Sequence, residues 1–119
     1  MEREQPIQVV FFKTEVGNEP VREWLKDLSK EDRKIIGEDI KTVQYSWPIG
    51  KPLVDSLGQQ IWEVRSSLRS RLARTLFTVC EQEIVLLHGF IKKVQKTPNE
   101  DLQLAKKRRS VYVRNYEKE

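Results

Sequence analysis

Six cations and one carboxylate have the types and spacing for phosphate chemistry: Arg65, Arg71, Arg74, Lys92, Lys93 and Lys96, with Glu63 among them. A guanidinium fork takes phosphate oxygens two at a time, and an ammonium adds a compact point charge. On a strand, residues two apart leave the same face, so Glu63 and Arg65 emerge together while Trp62 and Val64 enter the core. Arg71 and Arg74 differ by an odd number, so alternation splits them unless Arg71 belongs to a turn and Arg74 alone stays on the sheet. An arginine in a strand otherwise built of Leu, Ala and Phe needs a paired charge or a path to solvent. Two arrangements meet that need. A Glu63–Arg74 cross-strand ion pair would merely staple a hairpin; alternatively Glu63, Arg65, Arg74 and the lysines converge on one concave face.

The lysines have a rigid carrier. Ile84 to Ile91 is an apolar run suited to a strand covered on both faces, and Lys92, Lys93 and Lys96 follow it directly. Thr97-Pro98-Asn99-Glu100 then reads as a helix start, with Thr97 as N-cap, Pro98 at the first helical position and Glu100 closing a capping box. The single histidine, His88, reads as a core residue bonded to a carbonyl, or as half of an acid–base pair. Cys80 stands alone, which excludes an internal disulfide, fits a reducing cytoplasm and reads as inert. There is no Cys/His metal spacing, no phosphate-cradling glycine loop and no Gly-x-Ser-x-Gly elbow, so neither metal nor cofactor is expected.

The elements that must position these groups follow from periodicity. Ile7 to Phe12 is a strand. Asn18 caps a helix opening at Glu19-Pro20, with Val21, Trp24, Leu25 and Leu28 on one face. Ser29 caps a second helix that turns Ile35, Ile36, Ile40 and Val43 inward and stops between Tyr45 and Trp47, ahead of Pro48. Residues 48–60 read as a loop pinned by Leu53, Val54 and Leu57. Strands over 61–66, 71–79 and 84–91 are spaced for antiparallel hairpins. A last helix runs from Pro98 toward Tyr112, with Leu102, Ala105 and Tyr112 inward. The order is β-α-α-β-β-β-α: a compact α+β fold, a largely antiparallel sheet flanked by helices, in one domain over 1–119 with 114–119 as a frayed tail.

Hydrophobic residues make up 38% of the 119, and mean hydropathy is −0.63. The longest apolar run falls far short of the ~20 residues of a membrane span, and the charged start predicts no signal peptide. Residues 92–119 hold nine Lys and Arg against four Asp and Glu, whereas residues 1–50 hold eight against ten. That asymmetry favours an anionic partner, the plainer alternative being a charged helix that simply stays wet.

The spaced set Lys51-Pro-Leu, Leu57, Ile61-Trp-Glu-Val-Arg65, Arg71, Arg74, Val85-Leu-Leu-His-Gly-Phe, Lys92-Lys93 and Gln95-Lys96-Thr-Pro98 resembles the phage-derived HigB-like branch of the RelE/ParE toxin superfamily, over nearly the whole chain. The resemblance implies a RelE-like fold and a toxin of a type II toxin–antitoxin system. It implies a cytoplasmic, ribosome-dependent endoribonuclease cutting mRNA by attack of a ribose 2′-hydroxyl on the adjacent phosphate. Its implied partners are mRNA on the ribosome and a cognate antitoxin, a helix-turn-helix DNA-binding protein, with no membrane. Catalytic roles would fall to Glu63, Arg65, Arg74 and Lys93, and RNA-holding roles to Arg71, Lys92 and Lys96. Glu63 stands where the RelE branch places lysine, so it is either the base or an orienter of the arginines. A late family tyrosine would fall at Tyr112. Two other readings stay open: a ParE-like toxin inhibiting gyrase without chemistry, and a non-catalytic RNA-binding module.

Overall fold

The structure, a computed structural model, describes residues 5–118. The charged start over residues 1–4 and the last residue of the expected tail lie outside the described residues.

Five strands and three helices follow one another as β1 (Gln8–Phe11), α1 (Pro20–Lys26), α2 (Lys30–Ser46), β2 (Val54–Gly58), β3 (Ile61–Ser67), β4 (Leu72–Cys80), β5 (Glu83–Ile91) and α3 (Asn99–Glu117). They form a five-stranded sheet in the order β1-β5-β4-β3-β2, antiparallel except where β1 runs parallel to β5. The α+β class and the largely antiparallel sheet flanked by helices are as the sequence implies. The sheet has one strand more than expected, because β2 lies inside the 48–60 segment. Val54 is buried there and pairs with Val64, while Gln59 and Gln60, both at positive φ, turn the chain into β3. Thr78 Oγ1 donates to the Gln60 carbonyl at 2.7 Å, holding that turn on the sheet.

Helix starts follow local chemistry unevenly. Ser29 Oγ accepts the Asp32 N–H at 3.1 Å, the expected cap of α2. Asn18 does not cap α1: Glu19 holds that position without a side-chain bond, and the Asn18 N–H turns back to Thr14 Oγ1. Nor does Thr97 cap α3, since Pro98 is the N-cap and the Thr97 hydroxyl donates to Glu63 Oε1 at 2.6 Å instead. The last helix extends to Glu117, past the Tyr112 expected from the sequence.

The sheet is covered on both faces. On one side α1 and α2 bury Val21, Ile36, Ile40 and Val43 against Val64, Phe77, Ile84 and Leu86. Trp47, Trp62 and Phe77 meet there with ring centroids 5.1 to 5.9 Å apart. On the other side α3 lays Ala105 over Ile61, Leu76, Val85 and Leu87. No helix among the described residues is long and apolar enough to cross a membrane.

A register shift in β5 decides which of its side chains share a face. Leu76 pairs with His88 but Phe77 pairs with Leu86, so Leu87 is the extra residue of a β-bulge. Leu87 packs on the α3 side, and the bulge turns His88 to that side as well. From there alternation resumes with inverted parity: Phe90 faces α3, while Gly89 and Ile91 face α1 and α2. Arg108 Nη1 donates to the Leu87 carbonyl at 2.8 Å and so satisfies the bulge. Burial pushes the Arg108 guanidinium below its ordinary value.

The inverted parity also places Gly89 under the Trp24 indole, where any Cβ would collide with Trp24 Cε3 and Cζ3. Gly89→Ala is therefore expected to destabilise by about 1–3 kcal/mol through overpacking, read as a lower urea midpoint. The loss should be less than additive with Trp24→Leu, because both changes act on one contact.

Candidate functional site

With β5 re-aimed, three cross-strand rows lie side by side on the α3 face. The innermost is Glu63–Leu76–His88, the next Arg65–Arg74–Phe90, and the outermost Ser67–Leu72–Lys92. Helix α3 begins over the innermost row. Thr97 bonds Glu63 there, and His88 Nε2 lies 2.6 Å from Asp101 Oδ1. The helix then leads away, to Arg109 on Thr78 Oγ1 and Gln60 Oε1 and to Tyr112 on Glu83 Oε1. The outer two rows project beyond its start.

The middle row sets two guanidiniums directly opposite each other, an unfavourable pairing unless a counter-charge intervenes. Glu63 supplies it. Its Oε2 lies 3.8 Å from Arg74 Nε and 3.9 Å from Arg65 Nε, within ion-pair range of both. Glu63 and Arg74 are each only 4% exposed, whereas Arg65 opens to solvent. Arg74 Nη1 also donates to the Ala73 carbonyl at 3.0 Å. Burial lowers the Arg74 guanidinium from its ordinary value, Glu63 raises it and Arg65 lowers it again; an arginine starts high enough to stay charged throughout. One carboxylate thus holds two forks in place and leaves the group with a net positive charge.

Two hollows open over the outer rows. Pro52, Leu53, Arg65, Ser67, Leu72 and Arg74 line the first, of about 350 Å³. Leu72, Lys92, Lys93, Val94 and Gln95 line the second, also about 350 Å³. Neither is lined by a carboxylate or an imidazole. Lys93 and Lys96 are exposed and Lys92 is half-buried, and among the described residues the side-chain ammonium of none of the three has an ion-pair or hydrogen-bond partner.

The sequence candidates therefore divide. Glu63, Arg65 and Arg74 come together, Lys92 and Lys93 adjoin them, and Lys96 follows in the segment leading to α3. The Glu63–Arg74 pair that would staple the hairpin is present, whereas the cations do not share one hollow: Arg65 and Arg74 line the first, Lys92 and Lys93 the second, and Lys96 neither. Arg71 stands apart: its Nη2 lies 2.7 Å from Asp32 Oδ2, which ties the β3–β4 turn to α2 on the opposite layer. Tyr112 is remote as well. It bonds Glu83 at the other end of β5, six residues of β4 and roughly 20 Å from Arg74. Burial and the Glu83 hydrogen bond raise its phenol above the ordinary range. Cys80 shares that end, its thiol raised by burial and by Glu81 and Glu83.

Two contributors escape a reading of the sequence. Asp101 is the partner of His88, for which the sequence leaves open a carbonyl or an acid–base partner without naming one; His88 stacks on Phe90 at 5.6 Å and backs the middle row. Arg108 fixes the bulge that aims them. The closeness in sequence of Thr97, just before α3, and Asp101, in its first turn, is the one signal that could have suggested that both reach the sheet.

Among the described residues no three His, Cys, Asp or Glu side chains gather in a way that could hold a metal ion. What the arrangement offers chemically is preorganised positive charge over a supported floor, suited to a phosphate and to charge developing on it. Residues 23–110 match the family model described as phage derived protein Gp49-like (DUF891). No curated protein matches the chain.

Proposed function

Because the chain belongs to the phage-derived Gp49-like family, we propose that it is the toxin of a type II toxin–antitoxin pair and a ribosome-dependent endoribonuclease. The observation that carries this reading is the facing Arg65–Arg74 pair, steadied by one buried carboxylate and bordered by unpaired lysines at open hollows. Arg65, Arg74 and Lys93 stabilise the pentacoordinate phosphate formed when a ribose 2′-hydroxyl attacks. Lys92 and Lys96 hold the flanking RNA. Glu63, with Oε1 taken by Thr97 and Oε2 between the arginines, orients the forks. The 2′ proton then passes to water, since no free carboxylate lines the hollows. The P–O5′ bond breaks to leave a 2′,3′-cyclic phosphate, and a lysine ammonium gives the departing 5′-oxygen its proton. The cognate antitoxin, a helix-turn-helix protein in this reading, silences the toxin by masking these cations.

Expression of the chain alone, and together with its neighbouring gene, tests the reading. New mRNA 5′ ends inside codons, in step with growth arrest that the neighbouring gene relieves, are the expected result. Intact message with inhibited supercoiling would assign the toxin to gyrase instead.

Binding to single-stranded RNA gives a second check. If four to six phosphates are neutralised, the log–log salt slope should be roughly −3 to −4. Lys92→Ala and Lys93→Ala should each make it shallower by about 0.7, and a slope that ignores both changes would exclude the lysine hollow as part of the RNA path.

A further inference from the structure

The two hollows meet at one residue. Among the described residues Leu72 alone lines both, and it does so as an aliphatic side chain 41% exposed in the midst of cations. In the outermost row it stands between Ser67 on β3 and Lys92, the residue just past β5. Its backbone is rigid, because it opens β4 and its carbonyl accepts the Lys92 N–H at 2.7 Å. An exposed leucine is ordinary in itself; what singles this one out is its place between two cation-lined hollows.

Each hollow repeats the same chemistry. The first combines Arg65 and Arg74 with the apolar surfaces of Pro52 and Leu53; the second combines Lys92 and Lys93 with Val94, 54% exposed. Cation beside apolar surface is what one nucleotide asks for, phosphate on the charge and base on the carbon. The volumes fall near the lower end of small-molecule sites, about 300–1,000 Å³. Neighbouring strands lie about 4.8 Å apart, so cations on β3 and β4 and those following β5 are separated by about 5–10 Å, comparable with the reach of one nucleotide step.

We propose that Leu72 is a wedge: single-stranded RNA binds with successive nucleotides seated in the arginine and lysine hollows, and the leucine enters between their bases. Aliphatic side chains do this between duplex base steps, where protein contacts repay the cost of unstacking. Proteins that read single-stranded RNA likewise splay its bases apart. In this chain the unstacked step is the one whose phosphate lies at Arg65 and Arg74, and splaying it frees the ribose to rotate its 2′-hydroxyl into line with that phosphate. The proposal rests on the RNA-cleaving reading of the same site and adds to it the residue that shapes the substrate.

The test uses a short 2′-O-methyl RNA, which cannot be cleaved, with 2-aminopurine beside adenine so that unstacking raises its fluorescence. The wild-type chain is expected to bind it with a several-fold rise. Leu72→Ala keeps every cation, so it should bind within about threefold of wild type and give no rise, while Leu72→Met should restore the signal. Thermal melts of both variants confirm the fold. A full rise with Leu72→Ala, or wild-type binding with no rise, overturns the wedge and leaves RNA binding standing. Absence of wild-type binding also overturns the wedge, while the ribosome-dependent reading stands or falls separately on the mRNA 5′ ends.

Discussion

Arg74→Ala is expected to lower RNA cleavage by about 10²–10³-fold, the usual cost of losing one preorganised group at a developing charge, and to release growth arrest. Arg74 faces Arg65 across the β3–β4 ladder and lines the first hollow, so its removal takes away half of the fork pair. The truncation also touches stability, since Glu63 is buried and loses one of its two guanidiniums. Removing one partner of a buried ion pair costs about 3–5 kcal/mol when the other charge is left alone. Arg65 and the Thr97 hydroxyl still face the carboxylate here, which holds the cost at the lower end of that range. Arg74→Lys separates the two effects. It keeps the charge beside Glu63 and loses the planar fork, so the urea midpoint should recover most of the way while cleavage stays depressed. A fully toxic Arg74→Ala protein with unimpaired cleavage would remove Arg74 from the chemistry.

How far the sequence alone reveals the fold and the site depends on whether each cause is local. The faces of α1 and α2 and the Ser29 cap follow from residues within one or two helical turns, and the sequence shows them. The meeting of Arg65 with Arg74 follows from period-two alternation and a short turn, so it too can be read. Strand β2 cannot. Asp55, Ser56, Gly58 and two prolines all weaken strand propensity, and the strand exists because β3 offers a ladder and the core takes Val54. Its turn uses Gln59 and Gln60 at positive φ, without the Asn-Gly signal such turns usually carry. The bulge at Leu87 is equally silent. Strict alternation through an apolar run gives no reason to restart the count at His88, and the group that settles it, Arg108, lies 21 residues further on. Thr97 shows the contest plainly. Its neighbours describe an N-cap, yet a buried carboxylate 34 residues away takes the hydroxyl, because an unsatisfied charge there costs more than an open helix end in water. Residue type alone groups Arg71 with the other cations, and Asp32, 39 residues distant, holds it on the opposite layer.

Glu63→Gln is the substitution that separates orienter from base. Glutamine keeps an oxygen for the Thr97 hydroxyl and removes the charge shared by Arg65 and Arg74. Two guanidiniums directly opposite in register are then left without a counter-ion, so the folded state should weaken. An anion from solution can take the carboxylate's place, and ligand that binds only the folded state stabilises it by mass action, about 2.7 kcal/mol at a hundred times its Kd. Inorganic phosphate is therefore expected to raise the melting temperature of Glu63→Gln by several degrees more than that of the wild-type chain. RNA affinity should hold or rise, with a salt slope steeper by up to about 0.7, because the site has gained a net positive charge. Cleavage should fall by about tenfold or more, since forks that repel each other no longer present a fixed geometry, and the shape of the pH–rate profile should stay as in wild type. A general base behaves otherwise: its removal costs about 10²–10⁴-fold, flattens the acidic limb of that profile and leaves no special response to phosphate. A flattened limb together with an unchanged phosphate response would move Glu63 from beneath the arginines to the reacting hydroxyl.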